Sequence, residues 1–136
     1  MKEYFEIRKV KSSKNIIRDF EDLFLDYKDK YNVKDDIYFK IMVAVTEGIN
    51  NAAGHGNKYD PSKLVTVELK GDNTYINCKI QDEGLGFNPE KVADPRNPEN
   101  LLKDNGRGVF LMKELANDFN VTKLNNGTLV ELIFKF

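Results

Sequence analysis

The chain is expected to fold as an α/β two-layer sandwich, a mixed and mainly antiparallel sheet with helices on one face. Three observations carry this expectation. Apolar residues recur at helical spacing over two long segments of the first half, alternate at strand spacing in two hairpin-like pairs, and return to helical spacing between those pairs. At 136 residues, 40% hydrophobic and 32% charged, the chain suits one globular domain spanning residues 1–136, with little room for a second.

The first ten residues alternate, Phe5 and Ile7 against Glu6 and Arg8, which predicts a strand. Ser12 and Ser13 are candidate N-caps for a helix in which Ile16, Phe20, Leu23 or Phe24, Tyr27 and Tyr31 recur every three or four residues, and Asn32 supports the turn after it. A second helix begins near Lys34 to Asp36, buries Ile37, Ile41, Ala44 and Val45, and frays near Gly54 and Gly56. Leu64 to Lys70 and Tyr75 to Gln81 alternate on either side of Gly71-Asp72-Asn73, the pattern of a hairpin. Residues 88–105 hold Pro89, Pro95 and Pro98 and no sustained periodicity, as functional or disordered segments do. Val109 to Ala116 read as a helix, and Phe119 to Leu124 with Thr128 to Phe136 as strands joined at Asn125-Asn126-Gly127.

Composition excludes some functions. A formal net charge of -1 lacks the basic excess that nucleic acid or an anionic membrane demands of its main partner. The one basic run, Lys2, Arg8, Lys9, Lys11, Lys14 and Arg18 against Glu3 and Glu6, reads as a solvated face or as a dock for an acidic partner. Cys78, between Ile76 and Ile80 in an alternating run, reads as a small buried hydrophobe, and a lone cysteine forms no internal disulfide. The first residues form no apolar stretch resembling a signal peptide or a bilayer span, so the cytoplasm is the expected compartment.

Three short motifs follow one another: Glu47 with Asn51, Asp82-x-Gly84-x-Gly86-Phe87, and Gly106-Arg107-Gly108. Glu47, Asn51 and His55 lie at i, i+4 and i+8 on one helix face. Phosphoryl transfer from ATP requires a held triphosphate, a neutralising cation and an oriented acceptor. The Asn51 carbonyl oxygen suits Mg²⁺, which prefers oxygen ligands and keeps most of its waters, and Glu47 one turn earlier suits a general base. Alone, such a pair is ordinary helix surface, and His55 reads as a hydrogen-bonding residue rather than a catalyst.

Asp82 ends a strand, and its carboxylate accepts but does not donate hydrogen bonds, which suits the exocyclic amino group of adenine; the glycines after it let the backbone approach a planar ligand. An Asp-Gly turn is the plain alternative, and Phe87 suits the core equally. Gly106-Arg107-Gly108 leads into Val109 and Phe110 and places bare amides at an expected helix N-terminus, where an anion is favoured; the plain alternative is a turn with a solvated arginine. Thr128, after Gly127, lines a pocket floor or simply completes a hairpin. Eight of the nine glycines lie in or beside these motifs, so the plain readings would all have to hold together.

Taken in order, these residues resemble a known set. Thr46-Glu47-Gly48-Ile49-Asn50-Asn51-Ala52 with His55-Gly56 resembles the N box of the gyrase, heat-shock chaperone, histidine kinase and mismatch-repair ATPase superfamily, whose domain is the Bergerat ATP-binding fold. Asp82-Glu83-Gly84-Leu85-Gly86-Phe87 is similar to its G1 box, Gly106 to Met112 to its G2 box, and Gly127-Thr128 to its last short motif, with residues 88–105 in the place of the ATP lid. Histidine kinases need a phosphoacceptor domain and gyrase-like enzymes a transducer domain, so a chain of this length resembles instead the anti-sigma factor serine/threonine kinases of bacterial partner-switching circuits.

That resemblance implies a protein that binds a sigma factor, homodimerises, and uses Mg²⁺ and ATP to phosphorylate a small anti-anti-sigma (STAS-type) partner on Ser or Thr. It also implies Glu47 as base, Asn51 as Mg²⁺ ligand, Asp82 as adenine reader, and Gly84, Gly86, Gly106, Arg107 and Gly108 as the nucleotide cradle, with His55, Phe87, Val109, Phe110 and Thr128 beside them. Gly48 stands where the family commonly carries Ala. Two other functions compete: a nucleotide-gated binding module with little transfer activity, favoured by ATP binding without turnover, and plain ATP hydrolysis by an isolated domain.

Overall fold

The computed structural model describes residues 3–84 and 104–136. Its elements run β1 (Tyr4–Lys11), α1 (Arg18–Tyr31), α2 (Asp35–Asn51), a π-helical turn (Ala52–Gly56), β2 (Leu64–Gly71), β3 (Tyr75–Gln81), α3 (Asp104–Leu115), β4 (Asp118–Leu124) and β5 (Gly127–Lys135). The strands form one sheet in the order β1-β2-β3-β5-β4, and all four pairings are antiparallel. The two-layer α/β architecture expected from the sequence is present, with every pairing antiparallel.

Period-two burial decides which face the helices cover. Val65, Val67 and Leu69 of β2, Ile76, Cys78 and Ile80 of β3, and Val130, Leu132 and Phe134 of β5 are buried on one side of the sheet. Phe20, Leu23, Phe24 and Tyr27 from α1, Ile41, Ala44, Val45 and Ile49 from α2, and Val109 and Met112 from α3 complete that core. Cys78 lies within it, and burial pushes its thiol well above the ordinary range.

The other face carries register rows such as Ile7, Glu68, Lys79 and Glu131, with Phe5 and Ile7 54% and 50% exposed. In β1, therefore, the apolar side of the alternation points away from the helices. The helix-facing side holds Tyr4, packed edge-on against Tyr27, and Arg8, whose guanidinium grips Asp22 of α1 at 2.6 and 3.2 Å. Arg8 is thereby removed from the basic run read in the sequence as one surface.

Two local expectations change. No side-chain cap closes the start of α1, where Ile17 occupies the N-cap position. Ser12 is instead buried, donating to the Lys63 carbonyl at 2.8 Å, because a longer-range partner claims its hydroxyl. The end of α2 does not fray: it widens into the π-helical turn, after which Lys58 and Tyr59 adopt left-handed backbone angles, φ 55° and 56°.

Candidate functional site

The site is assembled along α2. Glu47 and Asn51 sit one turn apart in its last two turns and both reach the same neighbour: a Cβ built at Gly108 would lie 2.9 Å from Glu47 Oε2 and 3.2 Å from Asn51 Nδ2. The i, i+4 reading of a shared face is thus realised, and α3 crosses it at Gly108, a residue without a side chain. Gly48, between them, faces the sheet, where a Cβ would meet Ile80 Cδ1 at 2.7 Å and Met112 Sδ at 3.3 Å. That close approach of α2 to β3 accounts for a glycine where the resembling family commonly has alanine.

One turn further on, the π-helical segment delivers Gly56 against Asp82. A Cβ at Gly56 would lie 2.3 Å from Asp82 Oδ2, and one at Gly84 would lie 1.8 Å from the Gly56 carbonyl oxygen. Asp82 is 4% exposed. Its Oδ1 accepts from the Gly84 amide at 2.9 Å and the Thr128 amide at 3.1 Å, while its own amide donates to the Thr128 carbonyl at 3.0 Å. Burial raises the carboxyl's affinity for a proton, and the two amide donors oppose that rise.

Gly127, with φ 153°, fits under the Asp82 carbonyl, where a Cβ would approach to 1.9 Å. Thr128 beside it is buried, and its Oγ1 has no hydrogen-bond partner among the described residues. A buried hydroxyl left unpaired beside a half-satisfied buried carboxylate is a costly arrangement unless something else completes it. The donor and acceptor set suits a ligand offering both, as an adenine edge does.

The four sequence motifs therefore meet through named contacts: Glu47 and Asn51 with Gly108, Gly56 with Asp82 and Gly84, and Asp82 with Gly127 and Thr128. One expectation is corrected. Gly106-Arg107-Gly108 does not precede its helix but lies inside the first two turns of α3, which begins at Asp104. The N-terminus of the helix, with its amide donors, then lies at Asp104 rather than after Gly108. Helix breaking by glycine is overridden because Gly108 answers to the contact with Glu47 and Asn51.

Val109 is buried in the core, Phe110 is half-buried, and Arg107 and His55 are exposed. Gly86, Phe87 and the lid expected over 88–105 lie outside the described residues, apart from the last two positions of that span, which open α3.

A residue the motifs did not single out is Asn57. It is 0% exposed, and its Oδ1 accepts from the Glu83 amide at 2.7 Å, next to Asp82. The only local sign of it was an Asn directly after Gly56 at a helix end, a common turn former.

Comparison with known proteins agrees with this fold. Residues 12–134 match the histidine kinase-like ATPase domain family. Relatives include an anti-sigma F factor of Anoxybacillus flavithermus, 32% identical over 69% of this chain and 66% of the relative, and one of Clostridium perfringens, 32% identical over 65% of each. The serine-protein kinase RsbW of Oceanobacillus iheyensis is 30% identical over 63% of this chain and 56% of its own length. The match thus spans a little under two thirds of the length of these relatives. A domain of this family implies ATP as its nucleotide. The chain belongs to the histidine kinase-like ATPase domain family and is similar, within it, to the anti-sigma factor serine kinases.

Proposed function

We propose that the protein is a serine/threonine kinase of the anti-sigma type, acting in the cytoplasm, which binds a sigma factor and uses ATP to phosphorylate a small anti-anti-sigma partner on Ser or Thr. The observation that carries the reading is the convergence of Glu47, Asn51 and Gly108 in the last two turns of α2 and of Gly56, Asp82 and Thr128 just beyond its C-terminal end. The names of the relatives support the choice of branch.

The residues present fit a nucleotide and its cation. Asp82 Oδ2 faces a glycine-lined space and reads the adenine amino group, and the orphaned Thr128 Oγ1 gains a partner when the base enters. Asn51 offers a carbonyl oxygen of the kind Mg²⁺ takes, and among the described residues no cluster of three or more His, Cys, Asp or Glu competes for a metal. Bound there with ATP, Mg²⁺ supplies charge neutralisation at the phosphates. Glu47 accepts the proton of the attacking Ser or Thr hydroxyl, and the N-terminal end of α3 stabilises phosphate charge.

Self-association belongs to the same proposal. The sheet face opposite the helices presents Phe5 and Ile7 beside alternating Glu68, Lys79 and Glu131, a self-complementary surface at which a second copy pairs. Labelled phosphate recovered on Ser or Thr of a small acceptor protein tests the kinase assignment, and sedimentation equilibrium tests the dimer.

A further inference from the structure

Among the described residues four polar side chains are buried: Asp82 and Thr128, which belong to the site, and Ser12 and Asn57, which the proposed chemistry does not use. Asn57 spends its whole side chain on fixed partners. Its Nδ2 donates to Ser12 Oγ at 2.8 Å and to the Leu64 carbonyl at 3.0 Å, and its Oδ1 accepts from the Glu83 amide at 2.7 Å. The amide's orientation is unambiguous, because a backbone carbonyl can only accept and a backbone N–H can only donate.

The consequence for Asp82 is direct. Its own amide is held by the Thr128 carbonyl at 3.0 Å, and the next amide, that of Glu83, is held by Asn57. Both peptides flanking the adenine-reading carboxylate are thus pinned, one by the last motif and one by a residue of no motif. The segment carrying Asn57 is under tension: Lys58 and Tyr59, side-chain-bearing residues, hold φ of 55° and 56°, a conformation that persists only where neighbours enforce it. The Asn57 amide on the Ala52 carbonyl, 2.8 Å, and the Tyr59 amide on the Ala53 carbonyl, 2.7 Å, provide that enforcement.

We propose that Asn57 is a positioning residue for nucleotide selection: through the Glu83 amide it sets the direction of the Asp82 carboxylate, and through Ser12 it ties that carboxylate to the connection between β1 and α1. This rests on the nucleotide-binding reading above and adds to it the residue that keeps adenine recognition selective. A side chain that merely stabilised the fold would change how much protein is folded and leave the preference of the folded protein intact. A positioning residue changes the preference itself.

The test is the ratio of dissociation constants for Mg-ATP and Mg-GTP, measured by titration calorimetry on the full chain below its melting range. For Asn57→Ala we expect ATP to bind about tenfold more weakly and GTP to change by no more than about twofold, so that the ratio collapses. Asn57→Asp, which keeps an acceptor for the Glu83 amide, should retain more of the ratio, and Ser12→Ala should fall between. A folded Asn57→Ala with the wild-type ratio overturns the proposal. Should Asn57→Ala fail to fold, Ser12→Ala decides it by the same ratio: a reduced ratio supports the proposal and an unchanged one overturns it. A wild-type chain that binds no adenine nucleotide overturns the reading beneath it, and the proposal with it.

Discussion

At the scale of single residues, the proposed function gives Glu47, Asn51 and Asp82 separable tasks. Glu47→Ala should bind ATP within about twofold of wild type and lose about 10²–10⁴-fold in transfer rate, the usual range for a general base. Asn51→Ala should abolish the dependence of ATP binding on Mg²⁺, checked by titration with and without the cation. Asp82 gives a pH dependence of determinate sign. Burial raises its folded proton affinity above the ordinary aspartate value of 3.8, so its contribution to stability is complete below the unfolded value and is lost as pH rises through the folded one. Adenine recognition runs the opposite way, because it needs the ionised acceptor. ATP affinity should therefore fall on acidification, starting above the range of an ordinary aspartate, and Asp82→Asn should lose both the decline and the preference for ATP over GTP.

These three residues were legible in the sequence because spacing on one helix and a strand-ending Asp-x-Gly are local signals. Asn57 was not, since its partners Ser12 and Glu83 stand 45 and 26 residues away.

At the scale of elements, glycines mark where secondary structures touch. Gly84→Ala would drive a methyl into the Gly56 carbonyl, 1.8 Å from the built Cβ, and should destabilise the fold by about 2 kcal/mol or more while weakening ATP binding. Gly48→Ala meets side-chain atoms of Ile80, Met112 and Leu132 and no backbone, and the helix gains about 1 kcal/mol in return, so its stability should stay within about 1 kcal/mol of wild type. Urea unfolding of both variants checks the contrast. Periodicity located α1, α2 and both hairpins closely, because alternating and helical apolar patterns report which face is buried. It misplaced the start of α3 by treating glycine as a breaker, and it assigned Ser12 to a cap, because neither the contact of Gly108 with Glu47 nor the bond from Ser12 to Lys63 is visible in local sequence.

At the scale of the whole molecule, the sheet separates two surfaces. One face is buried under three helices among the described residues and carries the proposed nucleotide site at the end of α2; the other leaves Phe5 and Ile7 exposed. Phe5→Glu with Ile7→Glu should convert a dimer to monomers while keeping the folding stability of each subunit within about 0.5 kcal/mol per exposed substitution, and a wild-type chain that sediments as a monomer would remove the dimer from the account.

The proposed kinase transfers phosphate from ATP to another protein. The most direct measurement incubates the purified chain with γ-labelled ATP, Mg²⁺ and a lysate of its own source, beside Glu47→Ala, and follows the label. One small polypeptide should be labelled on Ser or Thr by the wild type alone. Labelling of equal rate by both proteins would contradict Glu47 as the base, and ATP binding with no labelled polypeptide would contradict the kinase itself, leaving a nucleotide-gated binding module.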